Sequence, residues 1–381
     1  MKLLYFTPQL SNFGGIERTI TDKANYLTNT GHHVLIVTYE QLNRPYAYNL
    51  GKDVEHIDLG YSFNLLYRYP LYKRIFKYLE LLRSVKKGLR KAINLFNPDL
   101  IVVTSPDTEH YLRSVFSVSK GKNIVIESHA SFGFHFLVKG TWCHFSYLLQ
   151  RPKDIFRKAD LVIALTNGDA QCWDRFKVKK IKVVPNPVTF YCDNVNTNKI
   201  PGRILAVGRL NKIKRFDRLI HAFSLVAPNC PVWHLVIVGD GEEKENLNNL
   251  ISELNLTDRI RILPATRDIV SEYMKSQFLT VSSDLEGFSL VLIEAMACGL
   301  PCVSTACPYG PIEIIEEGIS GLLSKMDEKD LADKMEWMIT HEHERHEMGI
   351  KAHKAAARYK KETVMKEWEN AYLSVSSNNN N

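Results

Sequence analysis

Apolar residues in this chain alternate between short dense runs and longer stretches where they recur at helical spacing. The dense runs are 3–6, 34–38, 100–104, 124–127, 161–164 and 182–184, then 204–207, 235–238, 261–263, 278–281 and 302–304. Each is short and apolar at successive positions, the character of a strand buried on both faces of a sheet. Helical stretches lie between them. That order predicts parallel sheets covered by helices on both faces, an α/β architecture.

The alternation breaks once. Asn186-Pro187, the polar run Asp193 to Asn198 and then Pro201-Gly202 punctuate the chain, placing a boundary near 186–200. The reading is a doubly wound α/β domain over 1–187 and a second over 188–360. Residues 361–375 read as a C-terminal helix, and 376–381 as a disordered polar tail.

A chain of 381 residues is long enough for two such cores. Its 45% hydrophobic and 24% charged residues exclude a disordered, collagen-like or disulfide-scaffold protein. No apolar run approaches the ~18 residues needed to cross a bilayer. The opening Met1-Lys2-Leu3-Leu4-Tyr5-Phe6 reaches Pro8 too soon for a secretory leader. A cytoplasmic protein is expected. Seven cysteines without a C-x-x-C pair read as free thiols in a reducing compartment. The run His341-Glu342-His343-Glu344-Arg345-His346 lacks the H-E-x-x-H order and reads as a solvated helical face.

Charge changes this picture in the first half. Residues 1–195 hold 27 Lys+Arg against 16 Asp+Glu, whereas the remainder holds 22 against 26. A basic half points to an anionic partner or surface. Between Tyr61 and Leu95 stand Arg68, Lys73, Arg74, Lys77, Arg83, Lys86, Lys87, Arg90 and Lys91, with Glu80 the one acid. Ile75, Leu79, Leu82, Leu89 and Ile93 recur at helical spacing, and Tyr67, Tyr69, Tyr72 and Tyr78 stand among them. This predicts an amphipathic helix able to lie on an anionic membrane. The plainer reading packs the apolar stripe on the sheet and leaves the charges in water.

Parallel sheets bind ligands beyond the carboxyl ends of their strands. The loops there carry three features. Gly14-Gly15-Ile16-Glu17 follows the first strand and opens a helix, where backbone can approach an anion. Arg209 and Lys214 follow run 204–207, and two such cations can neutralise a diphosphate. The turn Gly239-Asp240-Gly241 is not a dinucleotide fingerprint, because Lys244 stands where the third glycine would be. The third feature is Glu286 in the loop after run 278–281, with Glu294 eight positions on. At about 100° per residue this spacing returns to much the same helical face. Carboxylates accept hydrogen bonds from vicinal hydroxyls, as on a sugar or ribose.

The E-x7-E segment, followed by Ala295-Met296-Ala297-Cys298-Gly299-Leu300-Pro301, resembles the retaining nucleotide-sugar glycosyltransferases of family 4. Their fold, GT-B, has two Rossmann-like domains facing across a cleft, which implies an acceptor-side domain over 1–187, a nucleotide-sugar-binding domain over 188–360 and a helix over 361–375 that returns to the first domain. The resemblance runs over nearly the whole chain. It includes Gly14-Gly15-Ile16-Glu17, Val184-Pro185-Asn186-Pro187 and Val207-Gly208-Arg209-Leu210 with Lys214. Gly31-His32-His33-Val34 matches the family's strand entry except at His33, where glutamate is usual. Cys307-Pro308-Tyr309-Gly310-Pro311-Ile312-Glu313-Ile314-Ile315 resembles a variant found in transferases that build bacterial surface glycans.

The resemblance implies roles for particular residues. Arg209 and Lys214 would bind the donor diphosphate, with the backbone of Gly14 and Gly15 near the phosphates. Glu294 would hold ribose hydroxyls. Glu286 would hold hydroxyls of the transferred sugar, beside the amides of Gly287, Phe288, Ser289 and Leu290. His129 would stand by the reacting sugar. Thr266 and Arg267 fall where the family places nucleobase contacts, although Leu263-Pro264-Ala265 departs from the usual Leu-Gly-Phe.

The implied reaction moves a hexose or N-acetylhexosamine, with retention, from a nucleotide sugar to a lipid-linked or growing glycan. UDP is the family's commonest donor nucleotide. No Asp-x-Asp triplet occurs, so the metal-chelating device of the other common transferase fold is missing. Neither metal nor cofactor is expected, and nucleic acid is not expected as a partner. A sugar-nucleotide epimerase on the same fold and a non-catalytic nucleotide-sugar-binding subunit are the alternatives.

Overall fold

A computed structural model describes residues 1–104, 109–129, 153–193 and 199–376. Cys143, the polar run after Asp193 and the tail beyond Ser376 lie outside the described residues. Ser376 itself closes the helix Lys361–Ser376 and is not part of a tail.

The chain divides into two compact units. The first holds Met1–Pro185 and the chain from Met365 on; the second is Asn186–Val364. The helix Lys361–Ser376 therefore carries the chain out of the second unit and back into the first.

The first unit is built on strands β1 (Lys2–Thr7), β2 (His33–Thr38), β3 (Glu55–Asp58), β4 (Leu100–Val103), β5 (Asn123–Ser128), β6 (Leu161–Ala164) and β7 (Ile181–Val183). They lie in the order β3-β2-β1-β4-β5-β6-β7, and each pairing is parallel. The second unit uses β8 (Arg203–Val207), β9 (His234–Val238), β10 (Ile260–Leu263), β11 (Phe278–Val281), β12 (Cys302–Thr305) and β13 (Gly321–Ser324). Their order is β10-β9-β8-β11-β12-β13, again all parallel. Both are doubly wound Rossmann-like sheets.

Each sheet has an apolar core on which its helices close. In the first unit Leu4, Leu35, Ile101 and Ile126 from the strands meet Val85, Leu89 and Ile93 of one helix and Trp173 of another. In the second, Ile204, Leu235 and Phe278 meet Leu219, Phe223, Leu331 and Met335.

Two strands carry no apolar run and escape the hydrophobic pattern. β3 reads Glu-His-Ile-Asp and β13 reads Gly-Leu-Leu-Ser. Both are sheet edges. β3 is exposed to half-buried, as an edge strand can be, and needs no continuous apolar run; β13 is mostly buried, but only two of its four residues are apolar.

The basic helix spans Leu71–Phe96. Its apolar stripe does not face one environment. Leu89 and Ile93 are buried in the core, whereas Ile75 and Leu79 are exposed. Phe76, Tyr67 and Tyr72 are exposed beside them. Among the described residues no helix is long and apolar enough to cross a membrane.

Candidate active site

In an open parallel sheet the binding crevice opens where the strand order reverses. In the second unit this is between β8 and β11, which are neighbours although far apart in sequence. The loop after β8 carries Arg209 and Lys214; the loop after β11 carries Glu286.

The two loops are stitched together. The Asp284 amide donates to the Ile213 carbonyl at 2.9 Å, and the Ser282 hydroxyl donates to the Lys214 carbonyl at 2.9 Å. Arg218, buried on the helix Phe216–Val226, donates to the Ser282 carbonyl at 2.8 Å and to the Asp284 carboxylate at 2.6 Å. Held this way, Lys214 Nζ donates to Glu286 Oε1 at 2.6 Å. The Ser283 hydroxyl donates to the same oxygen at 2.8 Å.

The backbone of Glu286 is gripped from the other side by the 307–315 segment. Its amide donates to the Pro308 carbonyl at 3.0 Å, and the Tyr309 amide donates to the Glu286 carbonyl at 2.8 Å. Gly310 is required for this approach, since a Cβ there would stand 1.9 Å from the Phe288 carbonyl oxygen. The buried Cys307 thiol is pushed up to about 12 by desolvation and then by the nearby Glu286 charge. At neutral pH it is a protonated, inert group.

The helix that follows is Leu290–Ala297. Glu286 precedes it, and Ser289 between them has φ +79°. The expectation that Glu286 and Glu294 share a helical face is therefore corrected: only Glu294 is helical. A left-handed residue interrupts the 100° progression, so the spacing argument does not reach across it. Phe288 and Ser289 are buried, Gly287 and Leu290 half-buried. The Ser289 hydroxyl is buried without a partner among the described residues. Glu294 is buried and accepts a hydrogen bond from the Tyr273 hydroxyl at 2.9 Å.

The two cations do not meet one carboxylate. Arg209 is exposed and donates to Glu242 at 3.4 Å, while Lys214 engages Glu286. The Arg209 loop lies against the turn after β9. There a Cβ on Gly239 would stand 1.9 Å from the Gly208 carbonyl oxygen, which explains that glycine without a nucleotide. Thr266 and Arg267 are exposed beyond edge strand β10, where the Thr266 hydroxyl oxygen accepts from the Asp268 amide at 3.1 Å.

In the first unit the reversal lies between β1 and β4. Gly14 caps the helix Gly15–Asn29 with extended backbone, and its carbonyl accepts from the Arg18 amide at 3.1 Å. Gly15 is exposed at the first helical position.

His129 directly follows β5 and is buried. Its Nε2 lies 2.7 Å from Glu127 Oε2. The same carboxylate takes hydrogen bonds from Lys23 Nζ and from the Tyr372 hydroxyl. Tyr5 joins Tyr372, hydroxyl to hydroxyl, at 2.9 Å. Lys23 Nζ also stands 3.6 Å from the centre of the Trp368 ring, on which His129 stacks at 6.2 Å. Burial by itself would raise the Glu127 pKa, but Lys23 and His129 overcome it and hold it at about 2. Burial lowers the His129 pKa, with the Glu127 hydrogen bond opposing.

Sequence reasoning missed Lys23, Glu127, Tyr372, Ser283 and Tyr273. A signal existed for Lys23: it interrupts the stripe Ile20, Ala24 and Leu27, which is buried on the same helix. Tyr372 gave none, because its partner is distant in sequence. No group of three or more His, Cys, Asp or Glu able to hold a metal occurs among the described residues, the 341–346 run included. The six described cysteines are unbridged.

Comparison with known proteins places both units. The family "Glycosyltransferase Family 4" matches residues 13–190, and "Glycosyl transferases group 1" matches 193–355. An uncharacterised glycosyltransferase of Haemophilus influenzae is 29% identical over 97% of this chain and 99% of its own. The lipopolysaccharide 1,6-galactosyltransferase of Salmonella typhimurium is 30% identical over 65% of this chain and 70% of its own. Among solved structures, sucrose-phosphate synthase of Thermosynechococcus elongatus superposes with TM-score 0.81 at 18% identity, covering 99% of each chain. HepE of Anabaena, solved with UDP-glucose, gives TM-score 0.72 at 20% identity, covering 99% of this chain and all of its own. The two sheets, the family matches in chain order and the galactosyltransferase relative together make this chain a glycosyltransferase of family 4 with the GT-B fold.

Proposed function

We propose that the protein transfers a hexose or N-acetylhexosamine from a UDP-sugar to a lipid-linked or growing surface glycan, with retention at the anomeric carbon and without metal. The Lys214–Glu286 pair at the strand-order reversal carries this reading. Glu286 has a second oxygen for sugar hydroxyls, while Lys214 supplies positive charge for a departing diphosphate. Arg209, exposed and loosely paired at 3.4 Å, is free to turn to a phosphate. Glu294, oriented by Tyr273, serves the ribose. The relative named for lipopolysaccharide galactosyl transfer and the neighbour solved with UDP-glucose support the acceptor and donor classes.

The test is UDP release from a panel of UDP-sugars with a lipid-linked glycan acceptor, in excess EDTA, with the product anomer read by NMR. Release with a retained anomer is the expected result. Loss of activity in EDTA, restored by manganese or magnesium, overturns the metal-free step. An inverted anomer overturns retention.

The exposed half of the helix Leu71–Phe96 supports peripheral contact with an anionic membrane, where a lipid-linked acceptor is met. Ile75, Phe76 and Tyr72 stand in water there beside Lys73, Arg74 and Lys77. Such a face gains apolar burial in the interface and about 1 kcal/mol per basic residue near anionic lipid. Sedimentation with anionic but not neutral vesicles, reversed by salt, is expected. Equal absence of binding to both would make a soluble acceptor the better reading.

A further inference from the structure

We propose that Lys23, Glu127 and Tyr372 are positioning residues that hold His129 as the tautomer protonated on Nε2, presenting a bare Nδ1 as hydrogen-bond acceptor for a sugar hydroxyl. The inference rests on the reading of His129 as a donor-sugar residue and adds what sets its chemistry.

The geometry leaves one tautomer. An ionised carboxylate only accepts hydrogen bonds. Glu127 receives three, from Lys23 Nζ, the Tyr372 hydroxyl and His129 Nε2. The Nε2 contact at 2.7 Å therefore requires a proton on Nε2. Desolvation keeps the buried ring neutral at neutral pH, so the proton is absent from Nδ1. Nδ1 is itself buried and has no partner among the described residues. A buried polar atom without a partner is uncommon and costly, and a ligand hydroxyl is a group that would satisfy it.

The surrounding groups maintain this state from every side. Lys23 comes from the helix Gly15–Asn29, Glu127 from β5, Tyr5 from β1, and Trp368 and Tyr372 from the helix Lys361–Ser376. Lys23 keeps Glu127 ionised, and Trp368 lies against both the Lys23 ammonium and the His129 ring. Tyr372 occupies the second Glu127 oxygen, leaving Oε2 for His129. The C-terminal helix thus supplies the wall behind a residue that sits more than two hundred positions earlier in the sequence.

The test is ¹⁵N-histidine NMR of the full chain, with the His129 signals assigned by their loss in His129→Gln. Protonated Nε2 and bare Nδ1, unchanged from pH 8 down to pH 6.5, is the expected result. A proton on Nδ1, or a cationic ring at pH 7, overturns the inference whatever the activity. Kinetics of the charge-neutral pair Glu127→Gln/Lys23→Met form the second arm. Taking the 10–100-fold typical of groups that orient a metal-bound histidine as the scale for a group that orients a ligand-facing one, we expect kcat to fall about 10–100-fold with free-UDP affinity unchanged, and Glu127→Asp to recover part of the loss. If the double variant does not fold, Glu127→Asp and Tyr372→Phe carry the kinetic arm, each with a kcat loss and unchanged UDP affinity. Full activity of His129→Gln sinks the reading of His129 itself. Loss of activity in His129→Gln alongside full activity and an unchanged tautomer in the Glu127 variants sinks only the positioning role.

Discussion

Lys23–Glu127 in the first unit and Lys214–Glu286 in the second use the same two side chains in comparable sheets, the first between a helix interior and strand β5, the second between the loops after β8 and β11. Their surroundings separate them. Lys23 and Glu127 are 1% and 0% exposed, whereas Lys214 keeps 24% of its side chain in water and Glu286 keeps 7%. In the first pair both charges are spent on other protein groups: Glu127 is shared by three donors and Lys23 lies on Trp368. In the second, one Glu286 oxygen takes both Lys214 and Ser283. Burial turns an ion pair into a fixture, because neither member can separate without stranding a charge in apolar surroundings. Where the cation reaches water, as Lys214 does, it can leave the carboxylate and turn to a ligand without being stranded.

The largest expected effect breaks the buried pair. Glu127→Ala strands Lys23 and should cost about 3–5 kcal/mol of stability, read by chemical denaturation. Glu286→Ala leaves a lysine that water can reach but also takes the acceptor from the buried Ser283 hydroxyl, and should cost less, about 1–3 kcal/mol. Equal losses in the two variants would erase the distinction drawn between the pairs.

Next comes activity. Lys214→Ala should slow turnover by about 10²–10³-fold, or about 2.7–4 kcal/mol of barrier, with an unchanged melting curve. A matching drop in stability would make Lys214 structural like Lys23.

Acid titration sharpens the contrast from the first unit's side. Glu127 is held at about 2 against an ordinary 4.5, and His129 lies below its ordinary 6.5. Both folded-state values are depressed, so the unfolded chain takes up protons first as pH falls. Stability from these groups should be complete above pH 6.5. It should decline below 6.5 through His129, and again from 4.5 toward about 2 through Glu127. Thermal melting against pH should show that lower decline reduced in Glu127→Gln/Lys23→Met. A profile identical to that of the parent chain counts against the assignment.

The smallest effect separates the two carboxylates of the second unit. Glu294→Ala should chiefly weaken UDP binding, and Glu286→Ala should hurt transfer while sparing it, as measured by calorimetry. Tyr273→Phe removes one hydrogen bond to Glu294 and should weaken UDP binding by about 0.5–1.5 kcal/mol. Equal loss of UDP affinity in Glu286→Ala and Glu294→Ala would reverse the assignment of ribose to one and sugar to the other.

The amino-acid sequence by itself determined the two α/β halves, the buried strands and the loops that carry Arg209, Lys214, Glu286 and Glu294. A strand buried on both faces is mostly apolar along its length, and a loop at a strand's end keeps its residues adjacent in sequence; both leave local marks. The edge strands β3 and β13 left none, β3 because a half-buried edge needs no apolar run and β13 because only its two leucines are apolar. Tertiary structure alone decided which groups meet. Lys214 reaches Glu286 because β8 and β11 are neighbours at the strand-order reversal. Glu286 leaves the helical face of Glu294 because Ser289 turns left-handed between them. Tyr372 reaches Glu127 only because the last helix returns to the first unit. Periodicity encodes which side of an element is buried; pairing between elements distant in sequence is encoded in no local pattern, and it is this pairing that divides a fixed lysine–glutamate pair from an exchangeable one.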